Sequence, residues 1–293
     1  LKPIVFQYRS RRLHADDMAF IKALVDQHFL RGRSHISREL CKRWNWMQPN
    51  GKLKEYAARD LLLRLEEQGL ITLPPRIRPK NNLKPKVFDQ IPLFVKRILE
   101  GTITEYGNLT IQVVKGPQES YLWGYLLHHY HYLGNPKLVG EYIRHIVRIG
   151  DQVVACLGWA SAAWKVKDRD RFIGWDETTK RTHLHLIASN VRFLIPPWVT
   201  IKHLASKVLS LALRRLSNDW KAVYGHPVYL AETFVDTARF QGTCYQAANW
   251  IRAGKTQGSA KRGNLYLYHG QSKELYLYPL HRNFRRFLAH DQG

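Results

Sequence analysis

A chain of 293 residues, 45% of them hydrophobic and nine of them tryptophan, has ample length and apolar surface to bury a core, which excludes an intrinsically disordered protein. Its formal charge of +23 and pI of about 10.1 call for a polyanionic partner, nucleic acid ahead of an anionic membrane. No apolar run approaches the ~18 residues of a spanning helix and no signal-peptide pattern opens the chain, so a cytoplasmic protein is expected; Cys41, Cys156 and Cys244 are too scattered for a disulfide scaffold or a cysteine zinc site.

Residues 1–75 read as one helical domain. Asp16 and Asp17 open a first helix, AFIKALVDQHF, with acidic groups at its positive end, and Ser34 is placed to cap a second, HISRELCKRWNW. Asn50 and Gly51 break the chain before a third, LKEYAARDLLLRLEEQGL, in which Leu53, Ala57, Leu61 and Leu65 recur every fourth residue as one buried stripe. Gly69 ends that helix and LITLPP begins a strand. Helix, short helix, turn, longer helix and strand is the order of a winged helix-turn-helix. Arg31, Arg33, Arg38, Lys42, Arg43, Lys52, Lys54 and Arg59 lie on and around the helix pair, and residues 1–99 carry 21 Lys and Arg against 9 Asp and Glu. Contact with DNA phosphates is the reading to set against a solvated helical domain or a protein-interaction module. Residues 76–108 follow as a basic, proline-rich linker and a connecting helix. Arg76, Arg78 and Lys80 lie in PPRIRPKNNLKPK, semi-extended and placed to run along phosphates, and QIPLFVKRILEG is a short amphipathic segment.

From residue 109 to 293 strands and helices alternate. LTIQVVKG is a strand, ESYLWGYLLHHYHYLG an aromatic helix, and EYIRHIVRIG with QVVACLGWASAAWK a strand pair joined by a tight Gly150–Asp151 turn. HLHLIASNVRFLI is another strand, HLASKVLSLALRRLSNDWKAVYG a long helix with Leu204, Val208, Leu211 and Leu216 beneath, and LYLY with KELYLYPL ends the sheet. Between them, AETFVDTARFQGTCYQAANWIRAGKTQG passes from a strand (Val228 to Phe234) through an acidic turn at Asp236 into a helix from Gly242. That helix carries Cys244, Tyr245, Asn249 and Trp250 and closes on Gly254. The fold class is α/β: a winged-helix-like helical domain followed by a mixed α/β domain.

Strand, turn and helix N-terminus gather Glu232, Asp236, Tyr245 and Asn249 near one strand's C-terminal end, where open α/β sheets place their chemistry. Glu232 is a candidate general base or metal ligand, with a hydrogen-bond anchor for the following helix as its alternative; Asp236 reads as a turn cap. Tyr245 is a candidate for covalent attack on phosphate, with Asn249 one turn on as a supporting hydrogen-bonder; the plainer account is a tyrosine packed on Trp250. Asp170 lies in KVKDRDRFIGWDETTKR, read as a loop, where it can meet Glu232 as a second carboxylate around magnesium or manganese, while Trp175 can stack on an unpaired base. Local ion pairs in a solvated loop are the alternative there. His183, Leu184 and His185 on a strand would put two imidazoles on one face, as in the metal site of a rolling-circle nuclease. Neither arrangement assigns a metal-ligand set, and the cofactor stays open. Arg192, which with Asn190 ends the central strand, joins Lys255, Lys261 and Arg262 as further phosphate or base contacts.

The order of elements from about Leu109 to Leu280 resembles the GNAT N-acetyltransferase fold, in which a glycine-rich turn after the fourth strand cradles the pyrophosphate of acetyl-CoA. That resemblance offers Tyr245 the protonation of a leaving thiolate. The corresponding turn here, IPPWVTIKHLAS, has no glycine, which argues against acetyl-CoA. More narrowly, LGWASAAWKVKDRDRFIGW (157–175), LHLIASNVRFLIPPWV (184–199), HLASKVLSLALRRLSNDW (203–220) and ETFVDTARFQGTCYQAANWIRAGKTQG (232–258), with the earlier GRSHISRELCKRWNW and LPP, resemble the DruA family. That family belongs to the Druantia anti-phage systems and occurs around mobile elements. The resemblance implies a DNA-directed role in phage defence or mobile elements, with DNA and the other proteins of such a system as partners. It implies no settled chemistry: a DNA-processing enzyme (nuclease, transposase or nucleobase-modifying transferase) and a non-catalytic recognition subunit both stay open.

Overall fold

The computed structural model describes residues 3–8, 11–48, 51–76, 87–138, 140–256, 258–262, 265–268, 270 and 272–289, without the side chains of 259–262 and 265–268. The chain divides into two units, Leu1–Val87 and Phe88–Gly293.

In the first unit an antiparallel pair, β1 (Phe6–Tyr8) and β2 (Arg11–Leu13), precedes α1 (Ala15–Gln27), α2 (Arg33–Arg43) and α3 (Glu55–Glu67). Asp17 accepts the His14 N–H to form a capping box at the start of α1. Gly69, at φ 70°, takes the left-handed conformation that stops α3. The core holds Ile21, Leu24, Ile36, Leu40, Leu61 and Leu65. The buried stripe of α3 is Ala58, Leu61, Leu62 and Leu65, not the every-fourth-residue set, because steps of three and four alternate to stay on one face of a 3.6-residue helix. Other expectations change as well. The residue before α2 is Gly32 rather than Ser34. LITLPP is irregular, and the strands come before the helices. Residues 44–54 join α2 to α3 through a bridge between Met47 and Leu53, a longer connection than the ~3–4-residue turn of a helix-turn-helix. Among the described residues the order is two strands and then three helices, where the winged-helix reading expected helices and then a strand. Asn50 and most of the basic linker, Arg78 and Lys80 included, lie outside the described residues.

The second unit is mixed α/β. Its elements are β3 (Leu99–Thr102), β4 (Leu109–Val113), α4 (Gly116–Tyr130), β5 (Tyr142–Ile149), β6 (Gln152–Ser161), α5 (Lys167–Ile173), α6 (Glu177–His183), β7 (Ile187–Leu194), β8 (Val199–Lys202), α7 (Leu204–Tyr224), β9 (Leu230–Asp236), α8 (Thr243–Ala247), β10 (Ile251–Lys255), β11 (Ser259–Arg262), β12 (Leu265–Tyr268), β13 (Lys273–Pro279) and α9 (Phe284–Ala289). Among the described residues a seven-stranded sheet runs in the order β10-β13-β9-β7-β6-β5-β4, antiparallel except between β7 and β9. The centre of the sheet is dictated by composition: β6 is apolar almost throughout and buried over its whole length up to Ser161. The long helix α7 buries Leu204, Val208, Leu209, Ala212, Leu213, Leu216 and Trp220 against the sheet and stops at Gly225, φ 83°. From the other helical layer α4, the Trp123 indole N–H donates to the Leu157 carbonyl at 3.2 Å.

Residues 88–98, read from the sequence as a connecting helix, are irregular, since Pro92 interrupts the segment and Ile91, Leu93 and Ile98 are exposed. Phe88 anchors the segment on α4 at Gly124, where any Cβ would strike the Phe88 ring. LYLY pairs with β11 in a separate two-stranded ribbon rather than ending the main sheet. The Asp-rich stretch 167–183 is two helices, not a loop, and Asp176 caps the second by accepting the Thr179 N–H at 2.7 Å.

Gly254 does not stop a helix. It sits in edge strand β10 at a bulge, with φ 150°, and a Cβ there would collide with the Asp168 carboxylate, which accepts the Lys255 N–H. Gly254→Ala is therefore expected to destabilise the second unit by about 1–3 kcal/mol, read as a lower denaturation midpoint at unchanged m-value.

Candidate functional site

The parallel pair β7–β9 organises the site. The two strands pair only from Ile187 with Leu230 to Asn190 with Thr233, although β7 continues to Leu194 and β9 to Asp236. Beyond that point they part, and a cleft of about 640 Å³ opens between their carboxyl-terminal halves. This is where open α/β sheets hold ligands.

A chain of hydrogen bonds fixes the base of the cleft. Asn190 is buried and donates through Nδ2 to the carbonyls of Gly158 (3.2 Å) and Arg192 (3.1 Å). Its Oδ1 accepts the Tyr245 hydroxyl at 3.0 Å, and its carbonyl accepts the Thr233 hydroxyl at 3.1 Å. A bulge where β6 Gly158–Trp159 faces β7 turns the Arg192 side chain to the cleft wall. Its guanidinium donates to the backbone carbonyls of Gly134 (2.9 Å), Val191 (2.7 Å) and Leu133 (3.3 Å). Among the described residues no carboxylate pairs with it. Burial lowers its pKa, against a smaller raising contribution from Tyr132. Next to it His131 is held at about 4, by burial and then by the Arg192 charge, so it is a neutral imidazole that accepts the Leu133 N–H. Tyr132 and Phe240 form an exposed aromatic rim, with ring centroids 5.3 Å apart. Arg239 lies 5.1 Å above the Tyr132 ring.

Tyr245 is buried, and burial pushes its phenol well above the usual range, leaving it a hydrogen-bond donor at neutral pH. Its partner is an amide, which takes no proton, so the activating base that a nucleophilic tyrosine needs is not among its hydrogen-bond partners. The ring packs on Trp250 at 5.3 Å and Tyr276 at 5.9 Å. Cys244, also lining the cleft, is a thiol raised by burial and not a thiolate.

The candidates gathered from the sequence do not form one cluster. Successive residues of a strand face opposite sides of the sheet, so Ala231 and Val235 share Tyr245's core while Leu230 and Phe234 pack with α5 and α9 on the other side. Glu232 goes with the latter set. It is fully buried, accepts the Ala163 N–H at 3.2 Å and pairs with Arg169 at 3.0 Å. Asp170 meets Glu232, but across the same buried guanidinium: Arg169 contacts Asp170 at 2.8 Å, and Lys180 adds a second cation to Asp170 at 3.2 Å. A divalent metal does not fit this donor set, because Arg169 already supplies the positive charge the carboxylates share. Trp175 lies half-buried under Arg169 at 5.8 Å instead of facing solvent for stacking.

Asn249 is corrected too. Helix α8 ends at Ala247, and Asn249 takes φ 62° in the following turn, exposed, so it does not share a helical face with Tyr245. Asp236 does cap its turn, accepting the Ala238 N–H at 3.1 Å. His183 ends α6 and His185 sits in a 3₁₀ turn, so the triplet is not on a strand; His185 stacks edge-on against His226 at 4.8 Å, and His183 meets the Leu288 carbonyl. Among the described residues no group of three His, Cys, Asp or Glu side chains is arranged for a metal.

The basic residues separate into two kinds. Arg31, Arg38 and Arg43 are exposed, with no acidic partner among the described residues, and Arg76 is exposed. Arg59 flanks Tyr56, an aromatic ring 82% exposed on α3, at 5.6 Å. Arg33 is committed to structure instead, through a two-pronged pair with Glu66 (2.8 and 2.9 Å) and a bond to the Pro74 carbonyl. Lys42 pairs with Glu39 at 2.8 Å. Lys52 and Lys255 are exposed and Lys54 half-buried, while Lys261 and Arg262 fall on β11, whose side chains are outside the described part. The rim residues Arg239 and Phe240 lie in the family-like stretch 232–258 and Tyr132 in the aromatic segment 119–134, but nothing in the sequence singled them out. Only the turn at Asp236 hinted that something follows it.

Comparison with solved structures finds acetyltransferases. The aminoglycoside acetyltransferase AAC(6')-Ib in complex with coenzyme A is similar at 14% identity over 60% of this chain and 96% of its own, with a TM-score of 0.41. An acetyltransferase of Bacillus subtilis in complex with CoA is 8% identical over 59% and 99%, TM-score 0.37. A GNAT family acetyltransferase from Elizabethkingia anophelis with acetyl-CoA bound is 8% identical over 59% and 98%, TM-score 0.37. In this chain β8 separates β7 from α7, the residue before α7 is His203 at φ 65°, and the cleft is lined by other elements than α7. No curated protein matches the chain. The model of the family described as Druantia protein DruA matches residues 65–266, more than half of the chain, which therefore belongs to the DruA family.

Proposed function

We propose that the chain is a DNA-binding protein of phage defence or mobile elements, whose first unit grips duplex DNA and whose second unit holds or processes DNA at the β7–β9 cleft. The observation that carries the reading is the set of exposed arginines on α2 and just before it, Arg31, Arg38 and Arg43, which have no acidic partner among the described residues and stand beside exposed Tyr56 and half-buried Arg59 on α3. Such a surface costs electrostatic self-repulsion unless an anion covers it. The +23 charge and membership of an anti-phage family support the same partner. The burial of Tyr245 and its amide partner favour holding over covalent strand cleavage.

Fluorescence anisotropy with a labelled duplex at several salt concentrations tests this. Affinity is expected to fall steeply with salt, and Arg38→Glu combined with Arg43→Glu to weaken binding by about tenfold or more and reduce the salt slope by about 2. Unchanged binding in that variant, or loss confined to second-unit variants, would contradict the assignment to α2 and α3.

A further inference from the structure

We infer that the β7–β9 cleft is a pocket for one unstacked nucleotide of DNA, its base on the aromatic rim of Tyr132 and Phe240 and its phosphate against Arg192 and Arg239. The inference rests on the DNA-binding reading above and names what the cleft would take.

Three features point there. First, the opening is an interruption of parallel pairing, so its walls carry backbone groups and polar side chains that no strand partner uses, and its volume of about 640 Å³ suits a single small ligand rather than a helix or a duplex. Second, the charge is asymmetric. Arg192 is held by three carbonyls with no acid paired to it among the described residues, and Arg239 stands exposed at the rim. The cleft's carboxylate, Asp236, is occupied by the Ala238 N–H and lies opposite Lys273 in the strand register. An anion therefore meets more positive than negative charge on entering. Third, Tyr132 and Phe240 are 40% and 50% exposed at a site where burying them would be favourable. Rings left open beside a guanidinium are the usual platform for an unpaired base, which stacks on any aromatic face and needs no sequence match. Beneath them the Asn190–Tyr245–Thr233 bonds keep the floor rigid whatever enters.

The test measures anisotropy of the full chain with two duplexes of equal length, one fully paired and one carrying a single unpaired nucleotide. The unpaired form is expected to bind about fivefold or more tightly. Phe240→Ala and Arg239→Ala, both exposed and in or next to a turn, are expected to bring the two affinities together with the circular dichroism spectrum unchanged. Equal affinity for the two duplexes in the wild type overturns the inference and leaves the DNA-binding reading standing. So does a gain that survives both substitutions. Failure to bind either duplex overturns both. Coenzyme A bound in the cleft with no preference for the unpaired nucleotide, and weakened by the same substitutions, overturns it in favour of a small cofactor.

Discussion

Glu232→Gln should lower the thermal midpoint of the second unit by roughly 6–12 °C. The reason lies in where Arg169 sits. Its side chain is fully buried, as is that of Glu232, and their contact at 3.0 Å neutralises a guanidinium that has no access to water. Forming such a pair gives little net stability, but removing one partner leaves an uncompensated charge in the interior and costs about 3 kcal/mol or more. Asp170 remains on the other side of Arg169, which keeps the loss near the lower end of the range. Asp170→Asn should cost less, because Asp170 is partly exposed and its other partner, Lys180, can turn to Glu177, which it already contacts at 2.7 Å. Differential scanning fluorimetry separates the two accounts of Glu232. A general base would leave the midpoint where it is and abolish activity; a counterion moves the midpoint first.

Acidification should destabilise the second unit through a different cluster. On β5, His145 is fully buried and its Nε2–H donates to Asp219 on α7 at 2.9 Å, while Arg215 donates to the same carboxylate at 2.6 and 3.0 Å. Burial alone would raise the Asp219 carboxyl, but the bonds from His145 and Arg215 outweigh it and hold it at about 2, below its ordinary value of 3.8. A depressed carboxylate lends stability that is complete above the unfolded value and is lost as pH falls through the folded one, here between about pH 4 and pH 2. The contribution at neutral pH is about 2 kcal/mol. Burial also lowers the His145 imidazole, whose hydrogen bond to Asp219 works against the shift. The sign is the same: its neutral form belongs to the folded state, so stability begins to fall once the pH drops below the ordinary 6.5 of an exposed histidine. Urea titrations from pH 7 downward should show unfolding free energy decreasing throughout. In Asp219→Asn the decrease below about pH 4 should flatten, with about 2 kcal/mol already missing at pH 7. An unchanged slope in that variant would remove Asp219 from the account.

Much of the second unit was legible in local pattern. Strands β5, β6, β7 and β13 and helices α4 and α7 stand where alternation and the 3.6-residue period put them, since each helix turns one apolar face to the core and each strand buries side chains on its faces. Errors concentrate where short segments compete. TCYQAANW has enough helix formers for two turns, but Asn249 adopts φ 62° and Trp250 turns inward, which ends α8 after five residues. The stretch 167–183 looks like a solvated loop because it is dense in charge, and it folds as helices because Arg169 and Lys180 turn inward to meet Glu232 and Asp170. The first unit keeps its three helices, and among the described residues its strands stand before them rather than after.

What composition and spacing established on their own is a strongly basic α/β chain with a helical first part, a strand–turn–helix at 230–247 and residues enough to mark its family. These properties depend on neighbours within a few residues, or on simple sums over the chain. Which side chains meet is another matter. Glu232 and Tyr245 are 13 positions apart and seemed to converge after one strand, yet the sheet lies between them, because the face a strand residue takes depends on the register of pairings with β7 and β13. Arg169 joins Glu232 across 63 residues, and Asn190 joins Tyr245 across 55. The cleft itself exists because two parallel strands stop pairing after four residues. No single segment carries that information, since strand divergence is set by what packs on both faces of the sheet at once.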